Sequence, residues 1–107
     1  LLRIIFSMSY FVYILNSDSN DSFYKGQTND ISQRILRHNS GYEKYTQKGI
    51  PWILIWTKNF ETRSEAVILE TKLKNMSKAK LRIFLLRYHE FLQISIDNLD
   101  DYFSWGS

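Results

Sequence analysis

The chain contains no cysteine, which excludes a disulfide framework and any thiolate metal site. The same absence fits a reducing compartment, and a cytoplasmic location is the expectation. Proline occurs once, at Pro51, and glycine four times, so no Pro- or Gly-rich linker divides the chain. No apolar run approaches the roughly 20 residues that cross a bilayer, and no membrane partner is expected. Internal repeats and low-complexity tracts are absent. Lysine and arginine are missing after Arg87, and from Ile94 onward the charges are Asp97, Asp100 and Asp101.

What is present is enough for one domain. The 107 residues support a single core, and an apolar content of 44% is that of a globular chain. The net charge of +3 is unevenly spread: residues 1–93 hold all 14 Lys and Arg and eight of the 11 acids. A basic body suits a polyanionic partner, although solvated lysines are common. Three segments follow: an N-terminal arm (1–9), a domain (10–93) and an acidic, aromatic tail (94–107). The LLRIIFS start is apolar but too short for a signal-peptide core with a cleavage site. Met8 directly precedes the first strand, so either Met8 reads as the functional start or residues 1–7 as an added arm, with an extra strand or packed tail as the alternative. The tail, with Tyr102, Phe103 and Trp105, has no clear period and is expected to dock weakly.

Residues 10–16 (YFVYILN) are β-branched and aromatic and predict a strand. The polar SDSND turn leads to a second strand over Phe23–Thr28, giving an antiparallel hairpin. Gly26 interrupts that strand, which marks a bulge or a close backbone approach. Asn29 or Asp30 can cap the next helix, with Gln33 three residues past Asp30, and Gly41 is placed to end it. Ile31 and Ile35 face the core, and Arg34 and His38, also four apart, share a neighbouring face. Tyr42–Ile50 reads as a loop. Pro51 opens the strand WILIWTKNF, whose nearly continuous apolar run predicts the central, most buried strand. Thr62 to Glu65 form a capping box ahead of an apolar stripe at Ala66, Leu69, Leu73 and Met76. A last helix is predicted over Lys78–Gln93. The sum is an α+β fold, a small three-stranded, mainly antiparallel sheet flanked by helices in the order β-β-α-β-α-α.

Tyr13 in FVY, Tyr24 and Gly26 in YKG, then QTNDISQRILRHNSG, Pro51 and SEAVILETKLK together resemble the GIY-YIG nuclease family. The likeness is to its small stand-alone bacterial members, which are similar to the amino-terminal nuclease of the excision-repair endonuclease. Each motif alone is weak, and their joint order and spacing is specific. The resemblance implies metal-dependent hydrolysis of DNA phosphodiesters, with RNA left open, using a single Mg²⁺ or Mn²⁺. It implies catalytic roles for Tyr13, Tyr24, Arg34 and His38, with Glu70 as the metal-binding carboxylate and Gly26 structural. Lys25, Gln27, Lys44, Lys48, Lys74 and Lys78 are the expected nucleic-acid contacts. Low sequence specificity or a preference for a DNA structure is expected, with a homodimer or protein partner as the source of further specificity.

The chemistry is consistent with that division of labour. Phosphoryl transfer asks for positioning and charge stabilisation, and an arginine fork matches two phosphate oxygens. One carboxylate suffices for Mg²⁺, which keeps several waters. Tyrosine, with an unperturbed pKa of about 10, serves as a base only where nearby cations lower it. The same residues have plainer readings: strand aromatics for the tyrosines, a solvated helix arginine for Arg34, a helix-end cation for His38, and an i,i+4 partner of Lys74 for Glu70. Phe11 and Val12 depart from the first motif and Lys25 from the second, Gln27 stands where excision-repair relatives carry lysine, and no asparagine beyond the glutamate helix can be assigned. A non-catalytic nucleic-acid-binding module of the same fold is therefore the alternative function, and a purely structural partner-binding domain a third.

Overall fold

Tyr10–Ser17 (β1) and Phe23–Thr28 (β2) pair antiparallel, in register from Phe11 opposite Thr28 to Asn16 opposite Phe23. The computed structural model in which they are seen describes residues 9–103. The turn between the strands is closed by its own polar groups. The Ser17 amide donates to the Ser22 carbonyl (2.8 Å), and Ser17 Oγ accepts from the amides of Ser19 (3.2 Å) and Asn20 (3.1 Å). Trp52–Phe60 (β3) pairs with the other side of β1, so the sheet order is β2-β1-β3.

β1 is therefore the central strand, and the expectation that Trp52–Phe60 would be central is corrected. Val12 to Ser17 are all buried, whereas Ile53 in β3 is 36% exposed. The reason lies in a bulge. Ile14 pairs with Trp56 and Leu15 with Leu54, which leaves Ile55 as an extra residue in β3. One extra residue reverses the inward and outward alternation. Trp52 and Leu54 thus face one side of the sheet, and Trp56 joins the core on the other. An edge strand that feeds both faces reads, in sequence, as an uninterrupted apolar run.

Ile31–Asn39 (α1) is capped by Asp30, whose side chain accepts from the Gln33 amide (3.1 Å), and ends at Gly41, where φ is +82°. Glycine takes that left-handed conformation without steric cost. The segment read as a loop contains one helical turn, Lys44–Gln47 (α2). Arg63–Lys74 (α3) opens on the expected Thr62–Glu65 capping box, with both reciprocal bonds formed. Lys78–Arg87 (α4) is capped by Ser77 and stops earlier than the sequence predicts. A short 3-10 turn, His89–Phe91, then brings Leu92 beside Trp56, and the Gln93 amide donates to the Ile55 carbonyl (2.8 Å) on the outer edge of β3.

Two clusters fill the faces of the sheet. α3 and α4 cover Val12, Ile14, Ile55 and Trp56 with Ala66, Leu73, Leu81 and Leu85. α1 covers the smaller group of Tyr13, Leu15 and Trp52, with Ile31 and Ile35 packed against it. The segment expected to dock weakly belongs to the first cluster. Ile96–Phe103 forms a 3-10 helix whose Leu99 and Phe103 are 1% and 7% exposed, and the Phe103 ring stacks on Phe23 with centroids 5.0 Å apart. Burying two such side chains outweighs the three acids, one of which, Asp100, meets Arg82 at 2.8 Å. No helix among the described residues is long and apolar enough to cross a membrane. The readings placed on residues 1–8, including Met8, and on Trp105 lie outside the described residues.

Candidate active site

Strand pairing places Tyr13 directly opposite Gly26. A Cβ at Gly26 would lie 2.7 Å from Tyr13 Oη, so glycine lets the tyrosine ring lie across β2. Of the two readings of Gly26, close approach is the one realised, since the β1–β2 register has no shift. Leu15 pairs with Tyr24, which puts Tyr24 on the same sheet face, under α1. His38 reaches this face from the last turn of α1 and is 1% exposed.

The three rings form one group. Tyr13 Oη and His38 Nε2 are 2.8 Å apart, and the Tyr24 ring centroid lies 4.6 Å from that of His38. On its other side, His38 Nδ1 meets Thr46 Oγ1 at 3.2 Å. Burial, reinforced by the neighbouring Tyr24, raises the Tyr13 pKa well above that of an ordinary phenol, against an opposing effect of Arg34. Burial likewise lowers the His38 pKa, with Arg34 and Arg37 acting in the same sense and Glu43 opposing. Both groups are then neutral near pH 7, so one ring nitrogen of His38 donates and the other accepts, with the Tyr13 and Thr46 hydroxyls taking the complementary roles. Thr46 is itself held, because its carbonyl accepts from the Trp52 indole (2.7 Å). Asn39 ties α1 to β3, accepting from the Trp52 amide (2.6 Å) and donating to its carbonyl (3.0 Å).

Arg34 stands one turn before His38. Its Nη1 meets Glu43 at 3.4 Å, and Arg37 Nε meets the same carboxylate oxygen at 2.9 Å. Arg34 Nε, by contrast, is buried with no hydrogen-bond partner among the described residues. A buried donor left unpaired carries a desolvation cost of about 1–3 kcal/mol, which a bound acceptor removes. The Arg34 side chain lines a cleft of about 210 Å³ with Tyr10, Gln27, Thr28, Asn29 and Arg63.

Glu70 lies on the other face of the sheet, on α3. Its Oε1 accepts from Gln27 Nε2 (3.2 Å) and its Oε2 meets Lys74 Nζ (3.4 Å). Gln27 connects the two sides, because it bonds Glu70 and also lines the Arg34 cleft at the open edge of the sheet. Lys25 and Lys74 share a second cleft with Tyr24 and Tyr45, and burial lowers the pKa of Lys25. Lys78 lies 5.9 Å from the Phe23 ring centroid, and Lys44 and Lys48 are exposed on and after α2, with no side-chain contact to the cluster among the described residues. Among those residues no group of three or more His, Cys, Asp or Glu could cage a metal. The oxygen ligand here is the Glu70 carboxylate alone, since Gln27 turns its NH2 group toward Oε1. One such hard carboxylate fits a Mg²⁺-type ion that keeps most of its waters, provided Lys74 moves aside.

Sequence reading did not single out Glu43, Thr46, Asn39 or Arg63. Glu43 had a signal: it is the one acid in the basic, aromatic stretch YEKYTQKGI and sits downstream of two arginines. Thr46 had none, since only the fold brings it against His38.

A family model described as the GIY-YIG catalytic domain matches residues 9–82. A UPF0213 protein of Enterococcus faecalis is 40% identical over 83 residues, which cover 75% of this chain and 92% of that one. A UPF0213 protein of Halobacterium salinarum is 36% identical over 70 residues, covering 64% of this chain and 90% of the relative. The solution NMR structure of a UPF0213 protein from Bacillus halodurans is 34% identical, with a TM-score of 0.52, covering 76% of this chain and 86% of that one. These names state no activity.

Proposed function

The chain belongs to the GIY-YIG catalytic-domain family, and on that premise we propose that it is a divalent-metal-dependent endonuclease that hydrolyses DNA phosphodiesters with low sequence specificity or a preference for DNA structure. The observation that carries the reading is the unpartnered, buried Nε of Arg34 beside a ring cluster whose other buried polar atoms are paired. A phosphate oxygen is the acceptor that suits it, and a second oxygen would take the guanidinium fork from Glu43.

Tyr24 is the motif phenol with access to solvent, so it orients the attacking water. Tyr13 is 0% exposed, and its raised pKa keeps it protonated, so it fixes His38 rather than acting as a base. Neutral His38 holds both tyrosine rings in place. Glu70 would hold the cation, which when bound supplies charge stabilisation on the phosphate. Lys25 and Lys74, which line one cleft, would meet the backbone of the same strand. DNA is the expected partner, and binding dominated by phosphate contacts falls steeply with salt.

One observation favours the non-catalytic binding module: both Glu70 oxygens are already engaged, by Gln27 and Lys74. The test separates the two readings. Labelled single-stranded, duplex and branched DNA are incubated with Mg²⁺, Mn²⁺ or EDTA, for wild type and Glu70→Ala. Metal-dependent cutting lost in the variant supports the nuclease. Salt-sensitive binding without cutting of any substrate transfers the conclusion to the binding module.

A further inference from the structure

A second groove lies on the opposite sheet face from Arg34 and Tyr24, beside β3, the other edge strand. Its volume is about 480 Å³, and Phe60, Phe84 and Tyr88 contribute aromatic walls beside the fully buried Trp56. The rings of Trp56 and Phe84 meet edge-on at 5.1 Å, those of Phe84 and Tyr88 lie tilted at 4.9 Å, and Tyr88 is 40% exposed. Three cations, Lys58, Lys72 and Arg87, line the same groove, and none forms an ion pair among the described residues. Lys58 Nζ is held 4.2 Å over the Phe60 ring. The groove's one carboxylate, Glu65, is tied into the capping box of α3. The family match ends at residue 82, so Phe84, Arg87 and Tyr88 lie beyond it.

Flat aromatic surfaces with uncompensated positive charge around them suit a ligand made of flat bases and regularly spaced anions. A duplex presents its phosphates and hides its base faces, so it would leave the aromatic walls unused. We propose that this groove binds a single strand of nucleic acid, with bases against Phe84 and Tyr88 and phosphates against Lys58, Lys72 and Arg87. The proposal takes from the nuclease reading only that nucleic acid is the partner. A strand held here is a different segment from the one under Arg34, so the two sites together select branched or flapped substrates.

The two indoles report the two sites. The Trp56 indole donates to the Tyr88 carbonyl beside the groove, and the Trp52 indole donates to the Thr46 carbonyl beneath Tyr24 and His38. The ¹⁵N-labelled full chain is titrated with an oligothymidylate in EDTA, where no metal-dependent cutting takes place. The expected result is a saturable shift of the Trp56 indole, with affinity for a fluorescein-labelled oligothymidylate about tenfold lower in Arg87→Glu and in Tyr88→Ala at unchanged melting temperature. Shifts confined to Trp52 would overturn the proposal. So would a glutamate-rich peptide that moves the Trp56 indole with equal affinity, which would assign the groove to an acidic protein segment. Because binding is read without cleavage, this outcome is independent of whether the chain cuts DNA.

Discussion

The two faces of the sheet bury different kinds of group. Under α3 and α4 the fully buried side chains are apolar: Val12, Ile14, Ile55, Trp56, Leu73, Leu81, Leu85 and Leu99. Under α1 they include Tyr13 and His38, with Thr46 beyond, joined by two hydrogen bonds, and Arg34 Nε with none. Apolar burial is non-directional and stabilises wherever it occurs. A buried polar chain stabilises only when every member is paired, and it then fixes tautomers and ring positions. The large face holds the fold together, which allows the small face to carry an unpaired donor.

The widest separation of the two faces is expected from Arg34→Ala. Cleavage should fall by about a thousandfold while the melting temperature stays near that of wild type, because the half-exposed Glu43 pair contributes little. A variant that cuts within a few-fold of wild type would remove Arg34 from the site. The converse substitution is Phe103→Ala, which empties part of the large core and should cost about 3–5 kcal/mol in denaturant unfolding, with unchanged cleavage per folded molecule. Removal of residues 94–107 takes Leu99 as well and should unfold the chain. A deletion that melts like the full chain would show that the 3-10 helix is peripheral after all.

Gly26→Ala stands at the join of the comparison, since its Cβ would meet the Tyr13 phenol. It should lower stability by about 1–3 kcal/mol and cleavage together, and loss of one without the other would break the coupling of strand to site. pH acts on the small face through His38. Its folded pKa lies below the ordinary 6.5, so the unfolded chain binds more protons in that interval. The stability contribution is complete above about pH 6.5 and is lost as pH falls through the folded pKa. Unfolding free energy should therefore drop more between pH 7 and pH 5 in wild type than in His38→Gln; equal slopes would refute a buried neutral imidazole. The smallest effect is expected from Glu43→Gln, which frees Arg34 and Arg37. Stability should change by less than about 1 kcal/mol, and the KM for DNA should fall a few-fold; a rise would give Glu43 a binding role instead.

Much of this was legible in the chain. The hairpin, the Asp30 and Thr62 caps, Gly41 as a helix stop and the Ala66–Leu73 stripe are local, and each depends on residues a few positions apart. The motif tyrosines, Arg34, His38 and Glu70 were legible as a set because their order resembles a family. The strand order was not, because the bulge at Ile55 let an edge strand look like a central one. The 3-10 helix over Ile96–Phe103 was not, because two buried side chains among three aspartates carry no recognisable period.

By itself the sequence determined the three strands, the three longer helices, their caps and the family, since these follow from dihedral preference, spacing and side-chain type. The tertiary structure alone decided which strand is central, that Thr46 and Glu43 meet His38 and Arg34, that Tyr13 is buried while Tyr24 stays accessible, and that Gln27 links the Glu70 side to the Arg34 cleft. Burial and desolvation depend on what packs from distant parts of the chain, and with them the protonation of Tyr13 and His38 and the unpaired state of Arg34 Nε.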